Sequence, residues 1–265
     1  MNILDTIAAH KKKEVAERQR VVPLHVLEKR ELFSRNTHSL KQALLQPRAS
    51  GIIAEFKRKS PSQGVIHPTA GPDKITVQYV EAGATALSVL TDRYFFGGSD
   101  EDFLAARRVN PGIPMLRKEF VLDEYQVIET KSLGADVVLL IAALLAPEEI
   151  KSLTSLAHSL GMEVLLEVHT RHELQQNPDA GTDLIGVNNR DLKTFTVSTD
   201  VSKQLAPFIP AEIIPVSESG IDTAEAIREL RTYGFRGFLM GQKFMEQPAP
   251  GQACRDFIHR LNQPE

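Results

Sequence analysis

The chain has no tryptophan, a single cysteine and no long apolar run, and each absence removes a class of protein. Cys254 has no partner for an internal disulfide and cannot build a cysteine metal cluster alone, which fits a reducing compartment. The opening stretch, MNILDTIAAHKKKEVAERQR, is nowhere apolar enough for a signal peptide or a membrane span, and Asp5, Glu14 and Glu17 speak against an organellar presequence. The expectation is a cytoplasmic protein with no membrane partner. Neither a Walker A stretch nor G-x-G-x-x-G occurs, so nucleotide binding has no support. Lysine and arginine total 31 against 34 acidic residues, a net charge of −3, so no bulk positive field exists to hold nucleic acid. His169 and His172 stand three apart without an evident third ligand, and no metal is expected.

What is present is a rhythm. Residues 1–48 read as helical pieces, beginning with an amphipathic helix in which HKKKEVAER forms a solvated face. From residue 49 onward, short aliphatic runs recur at 52–56, 86–90, 113–116, 137–141, 164–168, 184–188, 213–217 and 237–240, with helix-like segments between them. Eight alternations of a nearly all-apolar strand with a helix are the pattern of a parallel sheet covered by helices. Closed on itself, this gives an α/β fold, a single (β/α)8 TIM barrel spanning 49–265 with an N-terminal helical extension; an open doubly wound sheet is the alternative.

In such a barrel the loops after the strands converge on one mouth, so strand ends are the places to look for chemistry. Glu55 and Lys57 end the first strand two residues apart and share a face. Lys118 ends the third, Glu167 lies in the fifth, Asn188 and Arg190 end the sixth, and Glu218, Ser219 and Gly220 end the seventh. Two lysines with several carboxylates at one sheltered end would perturb one another's pKa values and suit proton transfer; an ion-pair plug is the plainer alternative. The second and fourth strands end in aliphatic residues, followed in one case by Tyr94, Phe95 and Phe96. A site half charged and half apolar suits a ligand with a ring at one end and an anion at the other. Gly220 and Gly241, after strands seven and eight, occupy the usual phosphate position of these barrels.

The segments IIAEFKRKSPSQG, ALSVLTDRYFFGGS, PMLRKEF, LLEVHT, IGVNNRDL, SESGI and GFLMG, in this order over nearly the whole chain, resemble indole-3-glycerol phosphate synthase. The resemblance implies cofactor-free ring closure of 1-(2-carboxyphenylamino)-1-deoxyribulose 5-phosphate, with loss of carbon dioxide and water. It implies Lys118 as general acid, Glu167 as base, Lys57 facing the substrate carboxylate and pairing with Glu55 or Glu167, and Asn188, Glu218 and Ser219 as supporting polar groups with Arg190 behind Asn188. Ser60 matches a position near the anthranilate carboxylate, Phe96 and Phe120 match ring contacts, and Lys59, Gly220 and Gly241 match a phosphate cradle. Gln242 departs from the small hydroxyl residue or Glu that often follows that glycine. A phosphoribosylanthranilate isomerase would need a Cys–Asp pair, and Cys254 lies beyond the eighth strand; a catalytically dead scaffold would carry broken strand-end charges. The only partner expected is a small phosphorylated substrate, bound by a monomer with at most weak association to other tryptophan-pathway enzymes. Residues 57–72, rich in Gly and Pro, are expected to form a mobile lid.

Overall fold

The computed structural model describes residues 3–178, 180–191 and 194–263. Eight parallel strands close into a barrel: β1 (Ile52–Phe56), β2 (Ala86–Leu90), β3 (Met115–Lys118), β4 (Val137–Ile141), β5 (Glu163–Val168), β6 (Leu184–Asn188), β7 (Ile214–Glu218) and β8 (Gly237–Met240). Each strand pairs with its neighbour in sequence, and β8 returns to β1 through Ile52–Phe238 to Ala54–Met240. Closure removes the open-sheet alternative. The strands are apolar throughout because both faces are covered. In β4, for example, Val138 and Leu140 join the layer under the helices, while Val137, Leu139 and Ile141 join the barrel interior.

Two strands sit further along the chain than the apolar runs suggest. β3 occupies 115–118 rather than 113–116, because Pro114 has no N–H for the ladder and offers only its carbonyl, which accepts the Leu87 N–H at 3.0 Å. The ladder then carries two basic residues, running from Leu87–Met115 to Leu90–Lys118. Arg117 is fully buried on the outer face, its guanidinium 2.8 Å from Glu129 and 2.7 Å from Asp100 and donating to Thr91 and Thr130 hydroxyls. β7 likewise extends to Glu218, and β5 begins one residue early at Glu163, whose carboxylate accepts from Ser39 and from the Lys41 N–H.

The segment before β1 covers both ends of the barrel. Its last helix, Leu40–Leu44, closes the end where the strands begin, with Leu44 beside Gly237. Its first helix, Ile3–Val21, sends Leu4 and Ile7 into the interior cluster with Phe120, Leu139, Ile141 and Leu239 at the mouth. HKKKEVAER is not a uniformly solvated face. Lys12 and Lys13 are exposed, but Lys11 has no exposure at all and continues the inward stripe of Leu4, Ile7 and Val15. No helix among the described residues is long and apolar enough to cross a membrane.

Candidate active site

Along β1, β3, β5, β6 and β7 the inward positions change from apolar to polar at the same height. Ile53 is followed by Glu55 and Lys57, Leu116 by Lys118, Leu165 by Glu167, Gly186 by Asn188, and Val216 by Glu218. Parallel register then sets the polar groups side by side, with Glu167 across from Gly186 and Glu218 across from Asn188. The four charges that end β1 divide by direction. Glu55 and Lys57 face the cavity and pair at 2.8 Å, Arg58 pairs with Asp102 of the helix Asp100–Val109, and Lys59 places its ammonium 3.0 Å from the Tyr94 carbonyl.

At the centre, Lys118 Nζ lies 2.6 Å from Glu167 Oε2 and 2.8 Å from Glu218 Oε2. Burial alone would lower the ammonium's pKa, but Glu167, Glu218 and Glu55 outweigh it and raise Lys118 above the ordinary lysine range. Its side chain keeps 14% exposure and lines the cavity. The two carboxylates differ. Burial pushes Glu167 up, yet Lys118 and His169 and a 3.0 Å hydrogen bond donated by Asn188 Nδ2 bring it well below the usual range. Glu218 is raised by burial, which Lys118 offsets only in part while the negative charges of Glu167 and Glu55 add to it. Its Oε1 has no hydrogen-bond partner. One lysine thus stands between an ionised carboxylate and one that is readily protonated, the pairing of environments expected of acid and base partners.

Around this cluster is a cavity of about 490 Å³. One wall is apolar: Phe96 and Phe120, with ring centroids 5.8 Å apart, continue into Leu139, Ile141, Leu4 and Ile7. Ser60, Arg190, Ser219, Gly220, Gly241 and Gln242 line the remainder. Ser219 (φ 67°) and Gly220 (φ 71°) are consecutive left-handed residues, and for a serine this is backbone strain of the kind found at ligand clamps. Gln242 turns its amide to Glu246 at 2.6 Å, leaving the first-turn N–H groups after Gly241 as what this corner offers an anion. Fourteen of the fifteen expected site residues therefore share one cavity. Lys59 does not line it, because Ser60, the next residue of the two-stranded hairpin Lys59–Ser60/Gly64–Val65, takes the inward position.

Gly186, His169 and Lys11 are the contributors that escape sequence reasoning. A side-chain carbon at Gly186 would lie 2.2 Å from Glu218 Oε1, so this glycine makes room for the carboxylate; a glycine inside a strand is the signal. Gly241 does the same for Glu55, at 2.6 Å. His169 lies two residues beyond Glu167 on the same face, with Nε2 3.4 Å from Glu167 and Nδ1 3.6 Å from Glu173. Lys11 carried its signal in the Leu4–Ile7–Lys11–Val15 stripe. Among the described residues no group of His, Cys, Asp and Glu side chains could hold a metal ion.

The family model for indole-3-glycerol phosphate synthase matches residues 4–257. The chain is 45% identical over 260 residues to the indole-3-glycerol phosphate synthase of Bacteroides thetaiotaomicron, covering 98% of this chain and 99% of that one. It is 42% identical to the protein of the same name from Carboxydothermus hydrogenoformans, covering 94% and 97%. Among solved structures, N-acetylmannosamine-6-phosphate 2-epimerase from Clostridium perfringens superposes with a TM-score of 0.60 at 15% identity, covering 85% of this chain and 97% of that one. That likeness concerns the barrel alone.

Proposed function

The chain belongs to the indole-3-glycerol phosphate synthase family of carboxy-lyases, and we propose that its mouth divides that family's ring closure between the ionic wall and the apolar one. The family converts 1-(2-carboxyphenylamino)-1-deoxyribulose 5-phosphate to indole-3-glycerol phosphate in tryptophan biosynthesis. The substrate ring lies against Phe96 and Phe120, its carboxylate near Lys57 and Ser60, and its phosphate at Ser219, Gly220 and the N–H groups after Gly241. The observation carrying this reading is the Lys118 ammonium, held between two buried carboxylates in the lining of the cavity.

In the first step the carboxyl-bearing aromatic carbon attacks the ketone, and Lys118 donates a proton to the oxygen on which negative charge develops. Carbon dioxide then leaves with its bonding electrons returned to the ring system. Loss of water follows, with Glu167 taking the proton and Lys57 or Lys118 protonating the departing hydroxyl. The 2.6 Å pair couples these steps: when Lys118 gives up its proton, the charge that kept Glu167 a weak base disappears, and the carboxylate becomes basic when a base is needed. Asn188 and Glu218 hold Glu167 and Lys118 in place, Arg190 stands behind Asn188, and Lys59 reaches the phosphate on closure of the 57–72 loop.

The enzyme acts as a monomer in the cytoplasm, with residues 1–48 and the barrel forming one unit. Mixing the protein with the deoxyribulose phosphate and following indole fluorescence tests the reaction, since the chain has no tryptophan to mask the product. Growth of the indole band is expected; a flat trace with the substrate bound would leave a barrel that binds without catalysing.

A further inference from the structure

Lys11 is fully buried in the N-terminal helix, yet its ammonium touches no group of the reaction cluster. It lies 2.9 Å from Asp92 Oδ2, 3.0 Å from Glu119 Oε1 and 3.0 Å from Glu14 Oε2. A buried lysine with three acidic neighbours is costly to assemble, and removing it alone would strand those carboxylates. What distinguishes these partners is what they hold with their remaining oxygen capacity. Asp92 Oδ1 accepts the backbone N–H groups of Phe95 at 2.7 Å and Phe96 at 3.1 Å. Glu119 Oε1 accepts the N–H of Phe120 at 2.8 Å, and its Oε2 accepts from the Thr91 hydroxyl at 2.7 Å.

Phe96 and Phe120 come from different loops, one after β2 and the other after β3, so neither strand alone sets the 5.8 Å between their rings. The Lys11 ammonium is the group that both carboxylates share. We propose that Lys11 is a positioning residue for the aromatic end of the substrate, fixing through Asp92 and Glu119 the backbone from which Phe96 and Phe120 project. This rests on the reading of those two phenylalanines as ring contacts.

The rest of the helix supports the assignment. His10, one residue earlier, stacks on Tyr94 with centroids 4.6 Å apart, so adjacent side chains grip the same 92–97 loop. Attachment of the helix does not depend on Lys11 alone, since Arg18 pairs with Asp100 and, at 2.6 Å, with Glu129. Burial would lower the Lys11 ammonium, but Glu119, Asp92 and Glu14 raise it above the ordinary lysine range, so the clamp keeps its charge at neutral pH.

The test is a double-mutant cycle between Lys11→Met and the pair Phe96→Ala, Phe120→Ala, read as KM for the deoxyribulose phosphate and as affinity for inorganic phosphate. Lys11→Met should raise KM about tenfold in the parent enzyme, leave phosphate affinity unchanged, and raise KM no further once both rings are gone, since contacting groups are non-additive. Lys11→Arg, which keeps the charge, should recover part of the KM and serves as the measurement if Lys11→Met fails to fold. A full tenfold effect of Lys11→Met in the ring-less background, or equal losses of phosphate and substrate affinity, would make Lys11 a general stabiliser and overturn the proposal. An unchanged KM in the Phe96→Ala, Phe120→Ala enzyme would overturn the ring reading itself, and the proposal with it.

Discussion

As the proposed general acid, Lys118 would have to do two things that conflict in water: stay protonated, and give the proton away. The flanking carboxylates of Glu167 and Glu218 secure the first against burial, and in the proposed reaction the developing oxyanion of the substrate supplies the second. Lys118→Ala should therefore lower kcat by roughly 10³ or more while substrate affinity changes less than about tenfold, measured by turnover and by equilibrium titration. Glu218 offers a second check at this scale. Burial, together with the Glu167 and Glu55 charges, leaves its carboxyl at about 7 against an ordinary 4.5. Between those values the folded chain binds a proton that the unfolded chain has released, so Glu218 withdraws stability as pH rises through that window. In Glu218→Gln the loss of unfolding free energy from pH 5 to pH 8 should be smaller than in the parent by on the order of 1–3 kcal/mol, read from denaturation midpoints at the two pH values. An equal loss in both proteins would place the titration elsewhere.

Among elements, β6 shows how a strand serves a neighbour's side chain. Its Gly186 contributes no contact of its own, yet any side chain there would collide with the Glu218 carboxylate and with Leu165, 2.7 Å away. Gly186→Ala should force Glu218 off Lys118, costing about 1–3 kcal/mol of stability through overpacking and lowering kcat at least tenfold. A crystal structure of the variant would show the displaced carboxylate directly, and an unmoved one with full activity would refute the argument. The loop after β7 is built on a similar economy. Ser219 adopts a backbone conformation that disfavours a side chain, a strain of the kind found at ligand clamps, where the proposed phosphate site lies.

For the molecule as a whole, buried charge is not confined to the mouth. Arg117, fully buried behind β3, neutralises Glu129 and Asp100, and Arg18 of the N-terminal helix completes the set from the other side. Removing one partner strands the others. Arg117→Met should destabilise the fold by about 3–5 kcal/mol, a fall in Tm on the order of 10 °C for a chain of this length, while kcat of the protein that remains folded stays within a few-fold of the parent. The two basic residues at the end of β3 would thus separate cleanly, Arg117 in thermal melts and Lys118 in turnover.

The sequence by itself determined the barrel, its eight strands and fourteen of the residues that line the cavity, because strand periodicity and the convergence of strand ends are local and topological rules. Glu55 and Lys57 could be placed together from a spacing of two, and Lys118, Glu167, Asn188 and Glu218 from their strand ends. Only the tertiary structure decided which charge meets which. That Lys118 bridges Glu167 and Glu218, that Lys59 turns to Tyr94 rather than into the cavity, and that Lys11 rather than Lys12 or Lys13 is buried all depend on register between strands and on packing of the N-terminal helix. The physical reason is range: periodicity is written in neighbours along the chain, whereas an ion pair at 2.6 Å between Lys118 and Glu167 joins residues 49 positions apart, and its geometry exists only once the barrel has closed.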